Sequence, residues 1–308
     1  MQTINARPTH STFFIDLPLC RLNVMRSGQG EAMIMLPATI SRLENWYDLV
    51  DFMAQWFEVY FFELPGHGES SPFQQPFTTA LIGPLVEQLV DELGIQRFSL
   101  MGFSFGGILA MQVFSRLHRR IDNLVLLSPC LTWRSIQVSA MRREMLLKIV
   151  SLLKHASLKN KVYHLLHDPP YLTYSASFLR RLGNIEATIP VDEVLKKIQP
   201  TTLDILTAQI FESLKFEINP PQEPHSTPCY LAMSVFDPLI DFNVTVATLQ
   251  RFFSQPEIIQ LDYPFHQPPK PFTFDELNEE FGPTVEAFLA ARREGIRCSD
   301  SDQRIYEE

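Results

Sequence analysis

Gly102-Phe103-Ser104-Phe105-Gly106 sets a hydroxyl between two glycines, a pattern that suits nucleophilic chemistry. A serine alcohol attacks a carbonyl only when it stands clear of the backbone and has a base within reach. The flanking sequence supplies the first condition. Phe98 to Met101 is short and mostly apolar; after Gly107, the residues Ile108, Leu109, Met111, Val113, Phe114 and Leu117 fall on one side of a helix. The spacing predicts a strand, a sharp turn and a helix, with Ser104 at the apex. Glycine is needed on both sides because a Cβ there would collide with neighbouring backbone. The competing reading is a glycine-rich turn that merely contains a serine.

The second condition is a base, held in turn by a carboxylate. Of the eight histidines, His266 follows the last apolar strand, in Tyr263-Pro264-Phe265-His266-Gln267-Pro268. Its rival is His67, in Pro65-Gly66-His67-Gly68, where flanking glycines suggest a turn with a locally bonded histidine. Asp237 is the best carboxylate, because it ends the strand Cys229 to Phe236. A turn-starting Asp before Pro is the plainer explanation of that residue. Asp241 and Asp262 are the alternatives.

These groups meet only if a scaffold carries them to one edge. The chain alternates in a way that builds such a scaffold. Strands are expected at 19–26, 32–36, 57–64, 98–101 and 124–127, with helices at 41–54, from Pro84 to Gly94, and after Gly107. This βαβαβ rhythm indicates a parallel sheet covered by helices on both faces. Loops leaving such strands gather at the carboxyl edge, where ligands bind. The rhythm stops after Ser128. Helical patterns follow around 135–155, 157–167, 173–182, 191–199 and 202–216, and strands resume at Cys229 and at Glu257 to Leu261, followed by a helix at 274–293. The simplest division is a core first half at 1–130, a helical insertion at 131–226, a core second half at 227–294 and a polar, mobile tail at 295–308.

Composition limits the partners. The 308 residues carry a net charge of −9, which argues against bulk binding of nucleic acid. Cys20, Cys130, Cys229 and Cys298 form no paired motif and read as free thiols of a reducing compartment, with no metal site. Phe13 to Cys20, broken by Asp16 and Pro18, is too short for a secretory core, and no apolar run reaches membrane-spanning length. A cytoplasmic protein acting on a small molecule, with no stable membrane insertion, is expected. Within the insertion, Trp133, Tyr171, Tyr174, Phe178, Phe211 and Phe216 read mainly as its own core. Arg134, Arg142, Arg143, Lys148, Lys154, Lys159 and Lys161 stand against Glu144 alone, and read mainly as a solvated face. The sharper reading of that cluster is a patch for an anionic substrate or a membrane surface.

With these residues in place, the chain resembles the α/β-hydrolase fold superfamily over about residues 19 to 294. The match is carried by Gly102-Phe103-Ser104-Phe105-Gly106-Gly107 and by the order Ser104, Asp237, His266. Glu63-Leu64-Pro65-Gly66-His67-Gly68-Glu69-Ser70 is similar to the family's D-x-x-G-x-G-x-S segment, with Glu63 where Asp is usual. The resemblance implies a mostly parallel, eight-stranded-type sheet, with the insertion as an all-helical cap. It implies a nucleophile, acid and base in Ser104, Asp237 and His266, and a structural role for His67. It also implies an oxyanion hole from the backbone N–H groups of Thr39 and Phe105. The upstream His-Gly of the family is replaced here by Pro37-Ala38, nine residues before Trp46. Hydrolysis of a carboxylic ester through an acyl-enzyme is the expected reaction, with no metal or organic cofactor. Carbon–carbon bond hydrolases and lyases use the same residues, and a ligand-binding member without turnover is a further alternative.

Overall fold

The computed structural model describes residues 9–153, 156–168, 171–177, 200–268 and 270–304. Its frame is one eight-stranded sheet. In chain order the strands are β1 (His10–Asp16), β2 (Arg21–Gly28), β3 (Ala32–Leu36), β4 (Glu58–Phe62), β5 (Phe98–Phe103), β6 (Ile121–Leu127), β7 (Cys229–Ser234) and β8 (Glu257–Leu261). They lie in the order β1-β2-β4-β3-β5-β6-β7-β8. β1 and β2 run antiparallel, as do β2 and β4; every later pairing is parallel. The fold is therefore α/β with a mostly parallel sheet.

The central strands are apolar without a break because both their faces are covered. In β3, Ile34 and Leu36 join the core on one side of the sheet, while Met33 and Met35 join the other. Helices α1 (Tyr47–Met53), α2 (Ile82–Glu92) and α3 (Gly106–Leu117) follow the early strands; α7 (Phe242–Gln250) and α8 (Phe274–Arg304) follow the late ones. Leu85 and Leu89 of α2, Ile108 and Leu109 of α3 and Leu249 of α7 pack on the Ile34 side. Val50 and Phe52 of α1, with Leu277, Phe281 and Phe288 of α8, pack on the Met33 side.

The helix α2 ends as its sequence requires. Gly94 takes φ +69°, its N–H donates to the Asp91 carbonyl, and the Ile95 N–H reaches back to Val90. A side chain in that left-handed position would be strained, so glycine closes the helix. The helix opens two residues before Pro84, which therefore sits in the first turn, where its missing N–H has no intrahelical acceptor to lose.

Two expectations change. The antiparallel edge strand β1 precedes the first strand expected from sequence. Residues 295–304 continue α8, whose inner half is already docked; propagating a formed helix costs little. Tyr171 and Tyr174, expected mainly as core, are 49% and 76% exposed.

Between β6 and β7 the regular elements among the described residues are helical: α4 (Ala140–Leu153), α5 (Ala156–His167), the turns at 171–177, and α6 (Pro200–Ser213). Phe178 and the helix expected at 191–199 lie outside the described residues. Among the described residues no helix is long and apolar enough to cross a membrane.

Candidate active site

Ser104, the first residue past β5, has φ +53°. A non-glycine residue in this region is uncommon and strained. The strain has a local cause. A Cβ on Gly102 would run into the Gly106 carbonyl, and one on Gly106 would fall 2.5 Å from the Leu36 carbonyl oxygen and 2.8 Å from that of Pro37. The turn is thus too tight for any other residue at either flank. Neighbouring backbone then holds it: the Ser104 N–H donates to the Leu127 carbonyl at 3.0 Å, and the Ser104 carbonyl accepts from Cys130 at 2.9 Å.

The turn aims the Ser104 hydroxyl at the loop after β8. Ser104 Oγ lies 2.7 Å from His266 Nε2, and His266 Nδ1 lies 2.7 Å from Asp237 Oδ2. Asp237 is 2% exposed. Its other oxygen, Oδ1, accepts the N–H groups of Leu239 and Ile240 at 2.8 and 2.9 Å. The carboxylate therefore has one oxygen fixed by backbone and one free to fix the imidazole. This geometry holds the Nδ1–H tautomer and leaves Nε2 as the acceptor facing the alcohol. Three residues spread over 162 positions form one line of hydrogen bonds.

A family model described as alpha/beta hydrolase fold matches residues 31–150. The chain aligns over 95% of its length with 99% of a putative epoxide hydrolase structure from Pseudomonas aeruginosa, at a TM-score of 0.66 and 15% identity. The chain has the α/β-hydrolase fold. Curated relatives are similar over shorter stretches. The dihydrolipoyllysine-residue acetyltransferase component of the acetoin cleaving system of Cupriavidus necator is 32% identical over 117 residues, 38% of this chain and 31% of that protein. The pimeloyl-[acyl-carrier protein] methyl ester esterase of Nitrosomonas europaea is 26% identical over 119 residues, 38% of this chain and 45% of that protein. The chain thus spans less than half of the length of either relative.

In this α/β-hydrolase fold the residues weighed against the relay sit elsewhere. Asp241 caps α7, accepting the Val244 N–H at 2.9 Å, and Asp262 is exposed. His67 is buried in its turn; its N–H donates to Leu64 and its carbonyl accepts from Ser70. Its Nε2 has no partner among the described residues, and burial pushes its pKa down to about 4 from an ordinary 6.5. A folded-state pKa below the unfolded one means that the unfolded chain binds the extra proton first. Stability is therefore expected to be fully present above pH 6.5 and to fall as pH drops through 6.5 toward 4. Replacing His67 with Gln should flatten that part of a denaturant-midpoint profile; an unchanged slope would remove His67 as its source.

Glu63, which stands in place of the family's usual Asp, fills a structural role. Its carboxylate accepts from Asn23 Nδ2 at 3.1 Å, the Leu43 N–H at 3.3 Å and the Glu69 N–H at 2.6 Å. It ties the start of β2 to the loops after β3 and β4.

Thr39 lies in the loop after β3, beside the elbow. The Leu36 and Pro37 carbonyls crowd Gly106, and Trp46 fixes the loop by donating to the Ile40 carbonyl at 3.1 Å. Trp46 also meets the Phe103 ring edge-on at 5.8 Å, and Phe103 stacks on the His266 ring at 6.3 Å. Neither the Thr39 nor the Phe105 N–H donates to another group among the described residues.

Two contributors are not marked by the sequence. Gln137 Nε2 donates to the Asp237 carbonyl at 2.6 Å. Ser234 donates to the Tyr263 carbonyl at 2.5 Å and accepts the N–H groups of Phe236 and Tyr263, tying the Asp237 loop to the His266 loop. An isolated polar residue at a strand end was the only available signal for Ser234; Gln137 had none.

A cavity of about 660 Å³ lies between α6 and the segment after β4. Phe73, Phe77, Ile205 and Phe211 give it apolar walls, and Asp204 and Glu212 add polar ones. No member of the Ser104–His266–Asp237 line is part of its lining.

Proposed function

We propose that this protein of the α/β-hydrolase fold is a serine hydrolase that cleaves a carboxylic ester, or a related acyl compound, of a small and largely apolar substrate. The observation that carries the reading is the continuous Ser104–His266–Asp237 contact at 2.7 Å and 2.7 Å, on a serine held at positive φ. His266 Nε2 takes the Ser104 proton as Oγ attacks the carbonyl. Asp237 stabilises the imidazolium that forms. The Thr39 and Phe105 N–H groups receive the oxyanion, and the collapsing intermediate expels the alcohol with the proton from His266. Water, activated by His266, then attacks the acyl-enzyme and releases the acid. The described helices between β6 and β7 serve as its cap. Free thiols at Cys20, Cys130 and Cys229 support a reducing, cytoplasmic setting.

A fluorophosphonate probe tests the central claim. Ser104 should label rapidly and aryl esters of short acyl chains should turn over. A protein that neither labels nor hydrolyses any ester of an acyl-length series would overturn the reading and favour ligand binding without turnover.

The crowding at Gly106 makes a second test possible. Gly106→Ala puts a methyl against the Leu36 and Pro37 carbonyls, so the Thr39 loop must retreat from the elbow. The expected loss in kcat is about 10²–10³-fold, the cost of one oxyanion donor, with KM little changed. Unchanged kcat would show that the Thr39 loop takes no part.

A further inference from the structure

The helix α4 is apolar on two opposite sides. Leu147 and Val150 are buried on the inner side. There Arg143 donates to the Leu214 carbonyl at 2.9 Å and lies over the Trp133 ring. On the outer side Met141, Met145, Lys148 and Leu152 fall, at 100° per residue, within one stripe roughly 60° wide. Met141 is 80%, Met145 41% and Leu152 53% exposed. A surface helix needs one apolar face to join its own protein; a second, exposed one marks an interaction surface.

We propose that this outer face docks reversibly on an anionic lipid surface. Charge points to that occupant. From Leu131 to His167 the chain carries seven Lys and Arg against Glu144 alone, while the whole protein has a net charge of −9. Residues 131–167 are thus a basic stretch of an acidic protein, and an anionic surface attracts that stretch and turns the rest away. Arg142 and Lys148 are exposed, Lys148 within the stripe itself. A lysine there lays its stem along apolar surface and keeps its ammonium among headgroups. Met and Leu are unbranched at Cβ and adapt to a yielding surface. The 14 residues of α4 are too few to span a bilayer and suit a helix lying in the interface. A symmetric contact with a second copy would instead face the same cations against each other.

Vesicle flotation tests this. The full chain should float with phosphatidylcholine vesicles that contain phosphatidylserine, not with phosphatidylcholine alone, and high salt should release it. Combining Arg142→Gln with Lys148→Gln should lower the partition coefficient by about 30-fold. Met141→Ser, Met145→Ser and Leu152→Ser together should abolish flotation without altering thermal melting. Absence of flotation, or flotation unaffected by either set of changes, overturns the proposal. So does a dimer in sedimentation that depends on the stripe, without flotation. If the triple serine variant fails to fold, the glutamine pair alone decides.

Discussion

Ser104→Ala is expected to lower kcat by roughly 10⁴- to 10⁶-fold on any ester the wild-type protein hydrolyses, and to abolish fluorophosphonate labelling. The size follows from what the hydroxyl does at that place. It is the attacking atom and the group that the relay exists to deprotonate; without it His266 and Asp237 have no proton to move. The fold should not suffer. Alanine keeps a Cβ at φ +53°, so the strain already present at Ser104 is neither added to nor relieved. Ser104→Gly makes the contrast sharper. Glycine adopts that conformation freely, so its inactive product should melt no lower than Ser104→Ala, with relief of strain offset by the greater freedom of the unfolded chain. Stability and catalysis would then move independently at one residue, as they should where strain is held for function. Rate assays and melting curves on the two variants decide it. Hydrolysis surviving intact in Ser104→Ala would end the assignment of the nucleophile.

The elbow could be read from sequence because its chemistry and its geometry are local. Gly102 and Gly106 are demanded by atoms within a few residues or on the adjacent strand, and glycine is the one residue type whose presence announces that demand. Gly94 is legible for the same reason. The distances between Ser104, His266 and Asp237 are another matter. Strand order brings those loops together, and the alternation of strands and helices makes that order inferable, without fixing any contact. β1 is hard to read because an edge strand needs only one partner: His10 to Asp16 is mostly exposed and its apolar run, Phe13 to Ile15, is short. Gln137 was invisible because its role comes from tertiary docking. The segment after β6 pairs with the Asp237 loop through Ile136 and Ile240, and the Gln137 N–H reaches the Leu239 carbonyl at 2.8 Å. No spacing in the sequence records a pairing of segments that lie 100 residues apart. The exposed tyrosines teach the reverse lesson. Aromatic character predicts burial on average, yet Tyr171 and Tyr174 are exposed.

Asp237→Asn should cost about 10⁴-fold in kcat while leaving the fold intact, and the reason is the direction of one proton. In the native arrangement Oδ1 accepts from the Leu239 and Ile240 N–H groups, and Oδ2 faces His266 Nδ1. An asparagine at this position must keep its carbonyl oxygen toward the two backbone donors, since turning it would oppose donors to donors. Its NH₂ then faces Nδ1. The imidazole responds by placing its proton on Nε2, where it donates to Ser104 and can no longer accept. The base is present, correctly placed and in the wrong tautomer. Two measurements separate this account from simple loss of structure. Asn preserves the Leu239 and Ile240 bonds, so melting should change little, whereas Asp237→Ala leaves both donors buried without an acceptor and should destabilise by about 1–3 kcal/mol each. Adding Asp237→Asn to Ser104→Ala should lower the residual rate little further, because residues acting as one unit are not additive. If the two losses multiply instead, Asp237 acts on something other than the proton shared by His266 and Ser104.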